Sequence, residues 1–154
     1  MATSASAKGE IRWTKAWKLA VENVKANVPH SPGVYRIRAF ADQSAQAIPR
    51  CQGADPEGVL HLGQSGDLRT RLIAFLKSAN QGKKLHSAGC EFWDSGFGNR
   101  FSPEALFFDF VSTSSKKEAL AIELAQHLEY RRIYLDKPPL DSNVGQREKE
   151  LAES

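Results

Sequence analysis

The segment at residues 105–111 restricts the fold of this chain more than any other. It reads Ala-Leu-Phe-Phe-Asp-Phe-Val and is apolar at every position except Asp109. A strand that is apolar on both faces has to be covered on both faces, as in a sheet that helices sandwich. The run is also far too short to cross a bilayer. It therefore predicts a buried strand in a globular α/β protein.

Alternation and helical periodicity predict the other elements of an α/β sandwich around a small sheet. The pairs Pro29 and Pro32, and Pro138 and Pro139, stop two of the helices, and Ser114 or Ser115 can cap the last one. The segment at 41–57 is rich in Ala, Gln, Asp, Pro and Gly and predicts a long loop. Strands are expected over 33–40 and 58–63, and helices over 14–27, 67–79, 84–93 and 116–135.

Length and composition indicate one compact core. The chain has 154 residues, 41% of them hydrophobic and 25% charged, with a net charge of +3, which is compatible with a polyanionic partner.

We expect a disordered tail over 1–10, an N-terminal helix packed on the domain over 11–30, the main domain over 31–145 and a flexible tail over 146–154. The first ten residues do not resemble a secretory signal. The apolar runs are too short for a membrane span, so no membrane partner is expected, and without an export signal the cytoplasm is the expected location. The two cysteines are expected to be idle thiols, and together with His61 and His86 they lack zinc-ligand spacing.

Short motifs are spread in order along the predicted domain. They are Gly33-Val34-Tyr35, His61-Leu62-Gly63, Arg71-Leu72, the helix from Glu118 to Glu123, and Pro138-Pro-Leu-Asp-Ser-Asn143. This ordered set resembles the GIY-YIG nuclease family. The resemblance covers about residues 33–143, and its most specific feature is an arginine at the right distance after Gly63.

The resemblance implies a fold and an activity. The fold would be a small three-stranded, mainly antiparallel sheet flanked by helices, here with an added N-terminal helix. The activity would be metal-dependent hydrolysis of nucleic acid, DNA being favoured over RNA, with one divalent cation, Mg²⁺ or Mn²⁺, on Glu123. The implied residues are Tyr35, His61, Arg71 and Glu123 as catalytic, Gly63, His86 and Asn143 as supporting, and Arg69, Lys83 and Lys84 as nucleic-acid-binding.

The chain also departs from the family pattern. His61 replaces the tyrosine of the second tripeptide, and the loop between Tyr35 and His61 is longer than usual. Many members carry a histidine one helical turn after the arginine, where this chain has Phe75, and His86 is a candidate to replace it. These departures keep an alternative open, namely a non-catalytic nucleic-acid-binding module that kept the fold.

Two charged residues stand out on physical grounds. Arg71 lies at the edge of an apolar helical stripe, where a half-buried guanidinium requires an anion; periodicity alone does not choose it over Arg69. On the last helix Leu120, Leu124 and Leu128 predict the buried face. Glu123 lies beside that face, where a carboxylate needs a cation or a metal. A salt bridge from Arg71 is the structural alternative for Glu123.

Tyr35 and His61 are expected side by side, because a hairpin would pair their strands. Either ring could position or deprotonate the attacking water, and the sequence leaves that choice open. A histidine titrates near 6.5 and is a competent base at neutral pH, whereas a tyrosine, near 10, requires activation. Strand preference and recognition sequence are also open, and a homodimer is compatible with the sequence.

Overall fold

The computed structural model describes residues 11–141. Four α-helices and two short 3₁₀ turns occur in this part of the chain. The helices are Val21–Asn27 (α1), Leu68–Gln81 (α2), Ser87–Asp94 (α3) and Lys116–Tyr134 (α4), and the 3₁₀ turns are Phe97–Asn99 and Pro103–Ala105. Within the described residues no helix combines the length and the apolar character that a membrane span requires.

Three long antiparallel strands form the centre of the sheet, as predicted. Gly33–Ala41 (β2) lies in the middle and pairs antiparallel with two neighbours, Val59–Ser65 (β6) and Leu106–Ser112 (β7). Short strands extend the sheet or form a separate two-stranded ribbon. They are Trp17–Lys18 (β1), Ser44–Ala45 (β3), Ile48–Pro49 (β4) and Ala54–Asp55 (β5). The predicted α/β class with flanking helices is confirmed.

The segment predicted as a loop at 41–57 contains β3, β4 and β5. Asp42 and Gln43 adopt positive φ angles of 50° and 68°, which lets the chain reverse tightly from β2 into β3. At the far end, the buried Asp55 carboxylate accepts hydrogen bonds from the Val59 amide at 3.0 Å and the Tyr130 hydroxyl at 2.9 Å. Local turns and one buried carboxylate thus order a segment whose composition predicted irregular chain.

The predicted helix over 14–27 is wrong in its first half. Helix α1 begins at Val21, and Trp17–Lys18 is a strand that pairs with β7. The Trp17 ring packs against Phe108 and Phe110, with centroids 5.7 and 6.0 Å away. Aromatic packing and pairing with the open edge of β7 therefore outweigh helical periodicity here.

Two clusters of apolar side chains cover opposite faces of the sheet. The larger includes Tyr35, Ile37, Leu60 and Phe108 from the strands, with α1, α2 and α3 packed over them. The smaller includes Val34 and Leu62 with residues of α4. The buried strand predicted from the apolar run at 105–111 is confirmed, since most of β7 is buried.

The buried stripe of α4 is more polar than the leucine spacing indicated. Leu128 is 50% exposed, whereas Glu123 is 0% and His127 3% exposed. The stripe that faces the sheet runs from Ala119 through Glu123 and His127 to Tyr130. The centre of the buried face lies about one position away from the leucines that predicted it. Glu123 therefore lies at the centre of this face and not at its margin.

Asp109 is the single charged residue of β7, and it is 1% exposed. Its carboxylate accepts hydrogen bonds from Arg36 Nε at 2.8 Å, Arg36 Nη2 at 2.6 Å and Arg38 Nη1 at 3.0 Å. The Trp13 ring covers the Arg36 guanidinium at 4.2 Å. A buried carboxylate is tolerated in this strand because two guanidinium groups of β2 neutralise it.

Removing this carboxylate should destabilise the fold. Asp109→Ala leaves the mostly buried Arg36 and Arg38 with the more exposed Glu57 carboxylate as their counter-ion, at a cost of about 3 kcal/mol in the free energy of unfolding. Urea denaturation monitored by circular dichroism measures this change. The control is Glu129→Ala, which breaks an exposed ion pair with Arg132 and should leave the midpoint near that of the wild type. Equal midpoints for all three proteins would contradict a desolvated cluster.

Candidate active site

The register of β2 and β6 brings the predicted aromatic pair together. Tyr35 pairs with Gly63 and Ile37 with His61, so Tyr35 and His61 project from the same face one step apart. Their rings meet edge to face, and the Tyr35 hydroxyl lies 3.0 Å from His61 Nε2. Both residues are 1% exposed. The hairpin expected from the sequence therefore places a phenol and an imidazole in direct hydrogen-bonding contact.

Gly63 provides the space for this contact. A Cβ atom at position 63 would lie 2.7 Å from both the Tyr35 hydroxyl oxygen and His61 Nε2. That separation is well inside van der Waals contact, so any side chain would push the two rings apart. The supporting role predicted for Gly63 thus has a steric reason.

His86 approaches the same hydroxyl from the other side. It is the N-cap of α3, where its Nδ1 accepts hydrogen bonds from the amides of Ala88 and Gly89. Its Nε2 lies 2.6 Å from the Tyr35 hydroxyl. Phe75, at the helical position where the family often has histidine, is fully buried, with its ring 5.2 Å from that of His86. The imidazole thus reaches Tyr35 from the next helix.

Asp141 belongs to the site although the sequence analysis did not single it out. Its carboxylate is hydrogen-bonded to His61 Nδ1 and accepts the amide of Leu62 at 3.0 Å. It is 2% exposed. Asp141 lies in the segment from Pro138 to Asn143, for which the resemblance implies a role of the asparagine and not of the aspartate. Asn143 itself lies outside the described residues.

Arg71 connects the buried cluster with an open groove. The groove has a volume of about 500 Å³ and is bounded by Arg71 and Lys77 of α2, with Ser65 and Leu85 at its sides. Lys77 is exposed and was not predicted, although it lies less than two helical turns after Arg71. A phosphate in this groove would meet these two cations, with the Asp67 carboxylate also at the groove wall.

Several charges act on the Tyr35 hydroxyl. Burial raises its pKa well above the usual value, because the phenolate would lose its hydration. Arg71 lowers the pKa through its positive charge and a hydrogen bond, whereas the charges of Glu123 and Asp141 raise it. The four residues therefore influence one another electrostatically, and Arg71 favours the deprotonated form.

Glu118 and Glu123 of α4 lie in different environments. Glu123 is fully buried on the face that packs against the sheet. Glu118 is partly buried, and its carboxylate accepts hydrogen bonds from the amide and hydroxyl of Ser114 before the start of the helix. The burial of Glu123 agrees with its predicted position beside the buried face of the helix.

The residues predicted to bind nucleic acid do not all line the groove. Arg69 Nε donates to the carbonyl of Val28 at 2.7 Å, so this guanidinium joins α2 to the end of α1. Lys83 and Lys84 are exposed in the connection to α3, next to Leu85 at the groove wall. The position of Lys83 and Lys84 is compatible with contacts to a long substrate. The position of Arg69 is compatible with a structural role.

The amides at the start of α2 are already engaged. Asp67 is the N-cap and accepts the Thr70 amide at 3.1 Å, and the Leu68 amide donates to the carbonyl of Ser31. The Leu68 and Thr70 amides are therefore not available to a substrate phosphate. The Arg71 side chain is the cationic group that this end of the helix offers instead.

Glu123 is the residue that could hold a divalent cation. Within residues 11–141 no three His, Cys, Asp or Glu side chains are grouped as a metal cluster. Mg²⁺ in nuclease-like sites needs no such cage, because one or two carboxylates suffice when water and substrate oxygens complete the shell. The donor chemistry of Glu123, whose charge acts on Tyr35, fits that pattern.

The two cysteines form no disulfide. Cys51 is exposed and Cys90 is partly buried, and both are free thiols. Cys90 Sγ contacts the carbonyl of Lys83 at 3.7 Å. The idle thiols expected from the sequence are confirmed, and neither takes part in the site.

Comparison with known proteins gave structural matches alone. No family model and no curated protein matches the sequence. The fold is similar to that of the GIY-YIG N-terminal endonuclease domain of UvrC from Thermotoga maritima bound to its catalytic magnesium ion, with a TM-score of 0.44, 15% identity, and coverage of 79% of this chain and 96% of that domain. Two point mutants of that domain bound to the catalytic divalent cation match at a TM-score of 0.44 with 14% and 15% identity. The similarity concerns the fold.

Proposed function

We propose that this protein is a metal-dependent endonuclease that hydrolyses phosphodiester bonds, with DNA as its favoured substrate, through a GIY-YIG-type site. One observation carries the proposal. The Tyr35 hydroxyl, held between two imidazoles, interacts with Arg71, and Arg71 in turn lines an open groove. A proton acceptor and a cation are thus joined where a phosphate can bind.

The described side chains supply two of the requirements for phosphodiester hydrolysis. Arg71 offers a planar cationic donor for the negative charge that develops on the phosphate oxygens. Tyr35, backed by His61, takes a proton from the attacking water. Glu123 would hold Mg²⁺ or Mn²⁺, which when bound polarises the phosphate and acidifies water. Free thiols at Cys51 and Cys90 favour a reducing compartment, so we propose the cytoplasm as its location.

A binding module without catalysis is the second candidate, and one observation favours it. Glu123 is 0% exposed, so a hydrated ion can reach it only if the surrounding side chains move. A protein that binds nucleic acid without cutting it would have no need for that access. A homodimer, with which the sequence is compatible, stays a prediction.

Cleavage assays distinguish the two candidates. Labelled single- and double-stranded DNA, and RNA of the same sequence, are incubated with the full chain in Mg²⁺, in Mn²⁺ and in EDTA. The nuclease proposal expects metal-dependent cleavage of DNA in excess over RNA. Binding of the same DNA without cleavage in either metal would establish the binding module instead.

Glu123→Gln should abolish cleavage and leave DNA binding intact. The substitution keeps the size of the side chain but removes the charge that a hard divalent cation prefers. Glu118→Gln is the matched control on the same helix and should cut near the wild-type rate. Cleavage rates in Mn²⁺, together with thermal melting curves, measure both effects. Equal loss of activity in the two proteins would show that the wrong face of α4 was assigned.

Arg71→Ala should slow cleavage about 10²-fold, which corresponds to roughly 3 kcal/mol of transition-state stabilisation. Arg71→Lys should restore the rate incompletely, because an ammonium lacks the planar fork of a guanidinium. Arg69→Ala is the control two positions away, where the guanidinium serves the Val28 carbonyl. Single-turnover rates at saturating DNA compare the three variants. Wild-type rates for Arg71→Ala would remove this residue from the site.

Replacing Lys83 and Lys84 together by alanine should weaken DNA binding equally for all sequences. Each lost phosphate contact lowers the slope of log affinity against log salt by about one. The control replaces Arg131 and Arg132, two exposed cations in the last turn of α4, by alanine. Fluorescence anisotropy over a salt series yields both slopes. An unchanged slope for the Lys83 and Lys84 variant would exclude this connection from the binding surface.

A further inference from the structure

The hydroxyl of Tyr35 is bonded to two imidazoles that are not equivalent. His86 Nε2 lies at 2.6 Å and His61 Nε2 at 3.0 Å. All three rings are buried. A hydroxyl has one proton, so it donates to one imidazole and accepts from the other. The other hydrogen bonds of the two imidazoles determine which ring donates to the Tyr35 hydroxyl and which ring accepts from it.

His86 is the donor to Tyr35. Its Nδ1 accepts the amides of Ala88 at 3.1 Å and Gly89 at 3.3 Å, and both amides are donors. Nδ1 therefore carries a lone pair, and the proton of the neutral ring lies on Nε2. The Nε2–H group points at the Tyr35 oxygen. The cap of α3 thus fixes the tautomer of His86.

His61 has the opposite tautomer. Its Nδ1 contacts the Asp141 carboxylate, which can only accept, so Nδ1 carries the proton. Nε2 then presents a lone pair to the Tyr35 hydroxyl, whose proton points toward it. Asp141 is itself held by the Leu62 amide. Hydrogen bonds therefore run in one direction, from His86 through Tyr35 and His61 to Asp141.

We propose that Asp141 and His61 form a proton-accepting relay behind Tyr35, so that Asp141 is a positioning residue for the nuclease reaction. Tyr35 is the member that interacts with Arg71, which lines the open groove. His61 acts through Tyr35, because both of its nitrogens are already engaged inside the protein. The arrangement places hydroxyl, imidazole and carboxylate in the order that activates hydroxyl groups in other hydrolases. This inference rests on the proposed nuclease function.

The step balances in protons and bonds. An O–H bond of the attacking water breaks, and its proton passes to the Tyr35 oxygen while the Tyr35 proton passes to His61 Nε2. The water oxygen bonds to phosphorus as the bond to the leaving oxygen breaks. The leaving oxygen takes a proton from solvent, and His61 later returns its extra proton to solvent. Asp141 offsets the positive charge that His61 carries in between.

The tautomer of His61 can be measured without metal or substrate. Nitrogen-15 NMR of the full-length protein labelled at histidine distinguishes a protonated from an unprotonated ring nitrogen. We expect Nδ1 protonated and Nε2 unprotonated in the wild type. The other titratable and charged groups around Tyr35 and His61 are His86, Arg71 and Glu123, and His127 lies 3.6 Å from the Asp141 carboxylate. The spectrum is therefore recorded at the pH of the cleavage assay. A neutral ring protonated on Nε2, or an imidazolium, would overturn the relay.

Asp141→Asn tests whether the relay contributes to catalysis. An amide that keeps the Leu62 hydrogen bond turns its NH₂ group toward His61 and forces the proton onto Nε2, which blocks transfer from Tyr35. Cleavage should fall by about 10²–10⁴-fold, the usual range for a proton-transfer group. Asp141→Glu, which can again accept from Nδ1, should restore part of the rate and the wild-type tautomer.

Asp55→Asn is the matched control. Asp55 is also buried and also binds an amide and a ring hydroxyl, those of Val59 and Tyr130, but outside the site. It should lose a comparable amount of stability and keep both the cleavage rate and the His61 tautomer.

The outcomes separate the two proposals. An Asp141→Asn protein with the inverted tautomer and the wild-type rate would overturn the relay and leave the nuclease intact. A wild type with the expected tautomer that cuts no nucleic acid would overturn both the nuclease and the catalytic role of the relay. If Asp141→Asn does not fold, the wild-type spectrum decides whether the relay exists.

Discussion

The structure depends on how one buried carboxylate completes the outer edge of β6. Asp141 accepts the Leu62 amide and His61 Nδ1, while His127 of α4 bonds to the Leu62 carbonyl at 2.9 Å. An unpaired strand edge in the interior would leave backbone groups without partners. The Asp141 side chain that accepts the backbone amide of this edge also holds the His61 ring next to Tyr35. Fold stability and site geometry therefore share the same hydrogen bonds.

The central elements of the fold were predictable because local and tertiary preferences agree in them. The alternation in β2, the apolar run in β7 and the serine cap of α4 each indicate a structure that packing then reinforces. Trp17 was not predictable in this way. Its spacing is helical, but the packing of its ring against Phe108 and Phe110 comes from a strand almost a hundred residues later, which local periodicity does not contain.

The site was predictable to the extent that single residues look unusual for their position. A glutamate on an inward helical face is such a case, whereas Gly63 was implied by the resemblance alone; both lie near Tyr35 in the structure. Asp141 gave no local signal, since an aspartate after a proline pair is ordinary in a turn. Arg69 and Arg71 likewise have similar helical environments in the sequence, and the carbonyl that engages Arg69 comes from α1.

The site is assembled from parts of the chain that are far apart. Tyr35 is 26 positions from His61 and 51 from His86, and His61 is 80 from Asp141. Contacts over such separations close large loops and form late in folding. During synthesis, a ribosome-bound chain can pair β2 with β6 long before Asp141 has emerged. The hydrogen bonds around Tyr35 are then incomplete, so a nascent or half-folded molecule would have the paired strands without the finished site.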